Sequence, residues 1–307
     1  MISLLLAKKI LELFIIILMG FLIVKFNLLT SKESKGISKV IIYLINPCVI
    51  IGSFQVDYSN EVRNGLLVAT FAALIIHILL IFITKTINKK YPLNSIEKAS
   101  IIYSNSGNLT IPLVSSLFGP KWVIFSIAFM SVQLFFIWTH CKQIISEDKS
   151  FELKKILTNI NLISIVIGLC MFIFKIHLPA IFKSSVSSVA SMIGPLSMIV
   201  TGMIIGNIDL KKIAIYKNIY FITFIKMLAF PFIMLVFLKY SKLSIVVPNG
   251  EIILLITLLG TITPSASTVT QMAQIYEKDS EYASIINVVT TLVCILTMPI
   301  MVYLYKL

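Results

Sequence analysis

Apolar residues fall in long runs along this chain, and the runs are broken by lysines, serines, asparagines and Gly/Pro pairs. A helix crosses the hydrocarbon core of a bilayer with about 20 apolar residues. On that measure the pattern predicts ten membrane-spanning helices, over 5–25, 37–56, 62–84, 99–118, 121–140, 158–175, 186–206, 216–238, 251–274 and 282–305. The first is read as an uncleaved span. Lys8 and Lys9 precede the apolar run Leu13–Val24, no small-x-small cleavage signal follows, and Glu12 can pair with either lysine on one helix face.

Three landmarks recur at nearly one offset. Gly20 and Gly168 lie 148 residues apart, Pro47 and Pro195 also 148, and Pro112 and Pro264 152. Each pair falls in matching spans of two five-span halves, 1–157 and 158–307. Five is odd, so a second copy enters the membrane from the opposite side. Inverted repeats of this kind build carriers around a site near mid-membrane. The loops after spans 1, 3, 5, 7 and 9 hold 16 cationic residues, among them Lys32, Lys35, Lys89, Lys90, Lys154, Lys155, Lys211 and Lys212, against 9 on the other side. The positive-inside rule then places both termini outside a plasma membrane crossed many times.

Two spans are predicted to break. Span 4 contains Ser104-Asn105-Ser106-Gly107-Asn108-Leu109-Thr110-Ile111-Pro112, and span 9 contains Gly260-Thr261-Ile262-Thr263-Pro264-Ser265-Ala266-Ser267-Thr268. Proline removes a helix hydrogen bond, and freed backbone groups survive at membrane depth only against protein or a wet cavity. Each break yields a half-helix start with free N–H groups and partial positive charge. Two such starts near the midplane would attract an anion without any buried arginine. The bland alternative is a small-residue face with polar interhelical bonds. The candidate ligand-lining groups are Asn105, Ser106, Gly107, Asn108, Thr110 and Pro112 in span 4, and Thr263, Pro264, Ser265, Ser267 and Thr268 in span 9.

Asn46 before Pro47 joins them because its amide both donates and accepts. Gln133 in span 5 is a further lining amide, with Gln271 and Gln274 behind it, and Lys226 in span 8 is a buried cation of the kind that marks function or else snorkels to an interface. His77 reads as a core histidine.

Composition narrows the class. Hydrophobic residues make up 58% of 307 residues and charged residues 13%, against about 45–50% and about 25% in soluble domains. That excludes a soluble enzyme, a disordered chain and a nucleic-acid-binding module, although the net charge is +13. Cys48, Cys141, Cys170 and Cys294 have no CxxC spacing and read as small core residues, and the three histidines have no metal-ligand spacing. No nucleophile motif or intramembrane aspartate pair suggests catalysis, and no cofactor or metal is implied.

The stretches GFLIVKFNLLTSKESKGISKVIIYLINPCVI, SNSGNLTIPLVSSLFGP, IGPLSMIVTGMIIG and ITPSASTVTQMAQIYEKDSEYASIINVVTTLVCILTMPI, in this order, resemble the auxin efflux carrier family in its short bacterial, malonate-transporter-like form. The family is similar in fold to bile-acid symporters and sodium/proton antiporters. The resemblance implies an all-α polytopic membrane protein, with ten helices in two inverted repeats and crossed, discontinuous helices 4 and 9. It implies an organic-anion substrate, with crossing residues at Asn105, Gly107, Asn108, Pro112, Pro264 and Ser265. The loop near His140–Thr158 is short, unlike the long cytoplasmic loop of plant members.

The reading is therefore a secondary carrier for a small carboxylate, working by alternating access and exporting with the membrane potential. A sodium- or proton-coupled symporter and a non-transporting anion sensor are the alternatives. Its expected partners are the anion, the lipid bilayer and, as a candidate assembly, a second copy of itself; nucleic acid is not among them.

Overall fold

The computed structural model describes residues 2–147, 157–208 and 215–307. Lys154, Lys155, Lys211 and Lys212 of the charged loops lie outside the described residues. Within those residues the regular structure is helical: α1 Ile2–Lys25, α2 Glu33–Ser53, α3 Asn60–Lys90, α4 Ser95–Ile102, α5 Ile111–Phe118, α6 Pro120–Ser146, α7 Ile160–Ile173, α8 Ala180–Gly206, α9 Ile219–Tyr240, α10 Gly250–Ile262, α11 Ser267–Ile275 and α12 Ser280–Lys306. Among the described residues, six of these helices (α2, α3, α6, α8, α9 and α12) are long and apolar enough to cross a membrane. α7 and α10 are shorter apolar helices. α1 has the length but carries Lys8, Lys9, Glu12 and Lys25; the predicted pairing forms there, Lys9 Nζ lying 2.7 Å from Glu12 Oε2.

Local sequence explains where helices start and where they widen. Asn94 and Glu97 cap α4 reciprocally: Asn94 Oδ1 accepts from Glu97 N at 2.9 Å and Glu97 Oε2 from Asn94 N at 2.9 Å. Asn159 caps α7 and Asp279 caps α12 in the simpler one-sided way. Prolines explain most of the widened, π-type turns. Such turns cover Ile41–Ile45, Ser106–Thr110 and Ile225–Ala229, just ahead of Pro47, Pro112 and Pro231. In each, the middle residue (Tyr43, Asn108, Met227) is the one whose carbonyl a normal residue at the proline would have bonded. The helix widens to i→i+5 bonds, Asn46 N reaching Ile41 O and Phe230 N reaching Ile225 O, so fewer backbone groups are stranded. A fourth widened turn, Ile137–Cys141, has no proline behind it, and nothing in the structure explains it.

The described chain forms two compact units, each drawn from three stretches. One comprises Met1–Leu66, Gly107–Ile127 and Glu152–Ile208; the other comprises Leu67–Ser106, Ala128–Phe151 and Asp209–Leu307.

The first unit is held by close helix crossings. α1 lies along the second part of α8, and glycines permit the approach. A Cβ on Gly202 would run into Ile17 O and sit 2.7 Å from Phe21 N, and one on Gly20 would run into Ile199 O. Small residues at a membrane helix interface let backbones touch, and dispersion then replaces the missing hydrophobic drive. The end of α2 packs on α7, where Gly168 receives the ring of Phe54.

The second unit is built around α10, whose residues Ile253–Ile262 are buried throughout. α9 and α12 pack against it, and Gly260 receives the ring of Phe129 from α6. α3 buries Ala69, Ala72, Ala73, Ile76 and Leu80 along one face and exposes Leu67, Phe71 and Phe82 on the other. Small residues inside and large apolar ones outside is the arrangement lipid permits and water does not. His77 on α3 fits the core reading: fully buried, its ring stacked on Phe136 and its Nδ1 2.8 Å from Ala73 O.

One end of this second unit is tied by polar contacts. Glu97 is buried and accepts from Asn218 Nδ2 at 3.0 Å and Tyr282 OH at 2.9 Å, joining α4, α9 and α12. Tyr282 stacks on Tyr216, and Lys278 pairs with Glu147 at 2.9 Å. The Lys278 ammonium holds the exposed Glu147 carboxyl below the ordinary carboxylate range.

Candidate functional site

Both predicted breaks are present. α4 stops at Ile102, Tyr103 turns extended (φ −92, ψ 132), and helical geometry resumes only at Ser106. α10 stops at Ile262, Thr263 turns extended (φ −71, ψ 160), and α11 begins at Ser267. The two extended stretches pair antiparallel through Ser104 and Ser265. Asn105 N donates to Pro264 O at 2.8 Å and Ala266 N to Tyr103 O at 3.0 Å. Each break thus satisfies part of the other's backbone, which buried peptide groups require.

Side chains complete the crossing. Gln133 on α6 acts as a clamp: its Oε1 accepts from Ser104 N at 3.1 Å, and its Nε2 donates to Ser104 O at 2.8 Å and to Ser106 Oγ at 3.0 Å. Ser104 Oγ donates to Thr261 O at 2.8 Å, tying the first break to the end of α10. Lys226, on the widened turn of α9 and only 1% exposed, donates from Nζ to Ser104 Oγ at 2.6 Å. On the opposite flank α12 holds the second break. Thr290 Oγ1 accepts from Ser265 N at 3.1 Å, and Asn287 Nδ2 donates to Ser265 O. Ser265 Oγ is buried with no hydrogen-bond partner.

The structure therefore brings Asn105, Ser106, Gln133, Lys226, Thr263, Pro264 and Ser265 into one neighbourhood of the second unit, with Ser267 and Thr268 opening α11 just beyond. Asn46, Gly107, Asn108, Thr110 and Pro112 belong to the first unit. There Asn46 sits at the exit of the widened turn with a buried, unpartnered Oδ1, and Pro112 opens α5 with its ring against Gly194. Gln271 and Gln274 follow on α11.

Two features of the crossing are not read from the sequence. Ser104, its hub, is no different in sequence from its neighbours. Asn287 and Thr290 carried a usable signal: with Thr291 they form a polar i, i+3, i+4 face within an otherwise apolar span. The prolines also differ in place. Pro264 lies in the extended stretch itself, whereas Pro112 lies beyond its break at the start of α5, so they are not counterparts in the crossing.

Among the described residues no cluster of His, Cys, Asp and Glu could hold a metal, and the cysteines are unpaired.

Comparison with known proteins gives the family. The model of the membrane transport protein family matches twice, over residues 5–154 and 149–302. No curated protein matches the chain. Two matches to one model, one per half, cover nearly all 307 residues. The chain belongs to the membrane transport protein family, that of auxin efflux carriers and malonate-transporter-like permeases, whose members are multi-pass membrane transporters and not enzymes.

Proposed function

We propose that this transporter is a carrier of a small carboxylate, built as ten spans in two inverted five-span repeats and working by alternating access. The observation that carries the proposal is the pairing of two interrupted helices at Ser104 and Ser265, beside the buried Lys226, whose Nζ donates to Ser104 Oγ. The repeat is supported by the two family matches and by the make-up of the compact units: the first takes α1, α2, α7 and α8, and the second takes most of α3 with α4, α9, α10, α11 and α12. Corresponding members of each half fall in the same unit except at α5, which lies in the first unit while its counterpart α11 lies in the second, and at α6, which is divided between them. The half-helix starts at Ser106 and Ser267 are proposed to supply free N–H groups and partial positive charge for the carboxylate. Ser265 and Ser267 are the side chains proposed to hold it, with Asn105 and Gln133 beside them in the second unit. We place the protein in the cell membrane with both termini outside, following the lysine-rich loops.

Export requires no coupled ion when one net negative charge leaves per cycle. One charge moving through 100 mV gains about 2.3 kcal/mol, a concentration factor of about 50. In proteoliposomes loaded with mono- and dicarboxylates, an inside-negative potassium/valinomycin potential is expected to accelerate efflux, and Asn108→Ala and Pro264→Ala to lose it while still inserting. Electrically silent efflux would refute the potential-driven version; sodium-dependent uptake would favour the symporter; binding without flux would favour the sensor.

A further inference from the structure

Tyr103 is the residue at which the chain leaves α4, and both its backbone and its side chain are held. Its N donates to Ala99 O at 3.0 Å and its carbonyl accepts from Ala266 N at 3.0 Å, so one residue joins the end of α4 to the second break. The side chain is fully buried. Its hydroxyl lies 3.1 Å from Phe136 O and 2.7 Å from His140 Nδ1, two groups one turn apart on the same face of α6. α6 therefore grips consecutive residues of the first break: Ser104 through Gln133, and Tyr103 through the next turn.

Counting protons fixes the direction of these bonds. A tyrosine hydroxyl has one hydrogen to give, and a carbonyl can only accept. If the hydroxyl gave its hydrogen to the ring, Phe136 O would face the lone pairs of the Tyr103 oxygen. Both contacts are satisfied in one arrangement: His140 Nδ1–H donates to the Tyr103 oxygen, and Tyr103 donates to Phe136 O. In a neutral ring this leaves Nε2 without a hydrogen, since the bonds a histidine makes decide which nitrogen carries it. Hydrogen bonds chained in this way polarise and strengthen one another in a low-dielectric interior.

We propose that His140 is a positioning residue for transport. It acts through Tyr103: the two-bond relay from His140 through the Tyr103 hydroxyl to Phe136 O fixes where the chain leaves α4, and so keeps the Tyr103 carbonyl on Ala266 N. The feature required is a hydrogen at Nδ1, not the ring or its charge. Asparagine can supply it, because its Nδ2 stands where the ring has Nδ1. Aspartate has the same shape and, when ionised, only accepts.

The first arm of the test reads the ring itself. The chain has three histidines, His77, His140 and His177. In purified protein carrying nitrogen-15 histidine at about pH 8, where an unperturbed ring is neutral, the signals missing from His140→Asn identify His140. They are expected to show a protonated Nδ1 and a bare Nε2; a bare Nδ1 would overturn the proposal. The second arm reads efflux from proteoliposomes loaded with mono- and dicarboxylates. His140→Leu is expected to lose about fivefold in flux, the equilibrium cost of one hydrogen bond. His140→Asn is expected to keep most of it, and His140→Asp to match His140→Leu. Wild-type flux in His140→Leu would overturn the proposal, as would an equal loss in His140→Leu and His140→Asn. If His140→Leu does not fold, the ring signals and the comparison of His140→Asn with His140→Asp decide. Only the second arm rests on the carboxylate-carrier reading. A protein that moves no carboxylate would retire that reading and leave the ring signals as the test of the relay.

Discussion

Gln133→Leu is expected to abolish transport and to lower the melting temperature of the purified protein by a margin visible in any thermal scan. Leucine matches glutamine in size, so the change removes hydrogen bonds and leaves little cavity. The loss falls on Ser104 N and Ser104 O, which Gln133 pairs at 3.1 and 2.8 Å, and on Ser106 Oγ at 3.0 Å. All lie in buried residues, where water cannot replace the amide. An unsatisfied buried polar group costs about 1–3 kcal/mol, so two stranded backbone groups cost about 2–6 kcal/mol. Few folded proteins have more than about 5–15 kcal/mol to lose. Gln133→Glu separates the parts of the clamp: it keeps the acceptor for Ser104 N and loses the donor to Ser104 O. Its melting temperature is expected to fall between those of wild type and Gln133→Leu. Unchanged melting in Gln133→Leu would mean that the first break is held by something else.

Gly202→Leu is expected to leave no monodisperse protein in size-exclusion chromatography of detergent extracts. The collision at Gly202 is with the backbone of Ile17 and Phe21, which cannot rotate away as a side chain would. Overpacking against side chains costs about 1–3 kcal/mol; here α1 and α8 must separate along their contact. Two comparisons calibrate the effect. A Cβ at Gly206 would meet Val24 Cβ at 3.0 Å and the backbone Phe21 O at 3.1 Å, so Gly206→Ala asks for a small shift of both helices and is expected to yield folded protein with reduced stability. A Cβ at Gly36 meets nothing within 4 Å, so Gly36→Ala is expected to be neutral or slightly stabilising. Equal yields for Gly202→Leu and Gly36→Ala would contradict the close approach.

The breaks were legible in the sequence because their cause is local. Polar residues and a proline at that density cannot be lipid-facing helix, whatever the surroundings. Their register was not legible. The chain leaves the helix at Tyr103, nine residues before Pro112, because Pro112 is accommodated by the widened turn Ser106–Thr110. Pro264, without such a turn ahead of it, sits in the extended stretch. The partner of each break was also hidden. Ser104 meets Ser265 across 161 positions of sequence, and no periodicity encodes such a pairing. The signal in α12 was weak because Thr side chains in membrane helices usually bond their own backbone. Thr290 does so, reaching Ile286 O at 2.7 Å, while also serving Ser265. The second role of Glu97 is hidden for a related reason: at the head of a helix a glutamate reads as a cap, which it is, and only tertiary structure brings Tyr282 and Asn218 to its other oxygen.

The crossing itself can be tested in the membrane without knowing the substrate. Ser104 and Ser265 face each other between the two flanking backbone hydrogen bonds. This is the non-hydrogen-bonded position of an antiparallel pair, where Cα atoms approach to about 4.5 Å and a disulfide fits with little strain. In a variant whose four native cysteines are replaced by alanine, Ser104→Cys with Ser265→Cys is expected to cross-link on mild oxidation in membrane vesicles, and Ser104→Cys with Ser267→Cys to cross-link far less. Failure of the first pair to cross-link, in protein that inserts and whose thiols react with maleimide once unfolded, would contradict the crossing of the two broken helices.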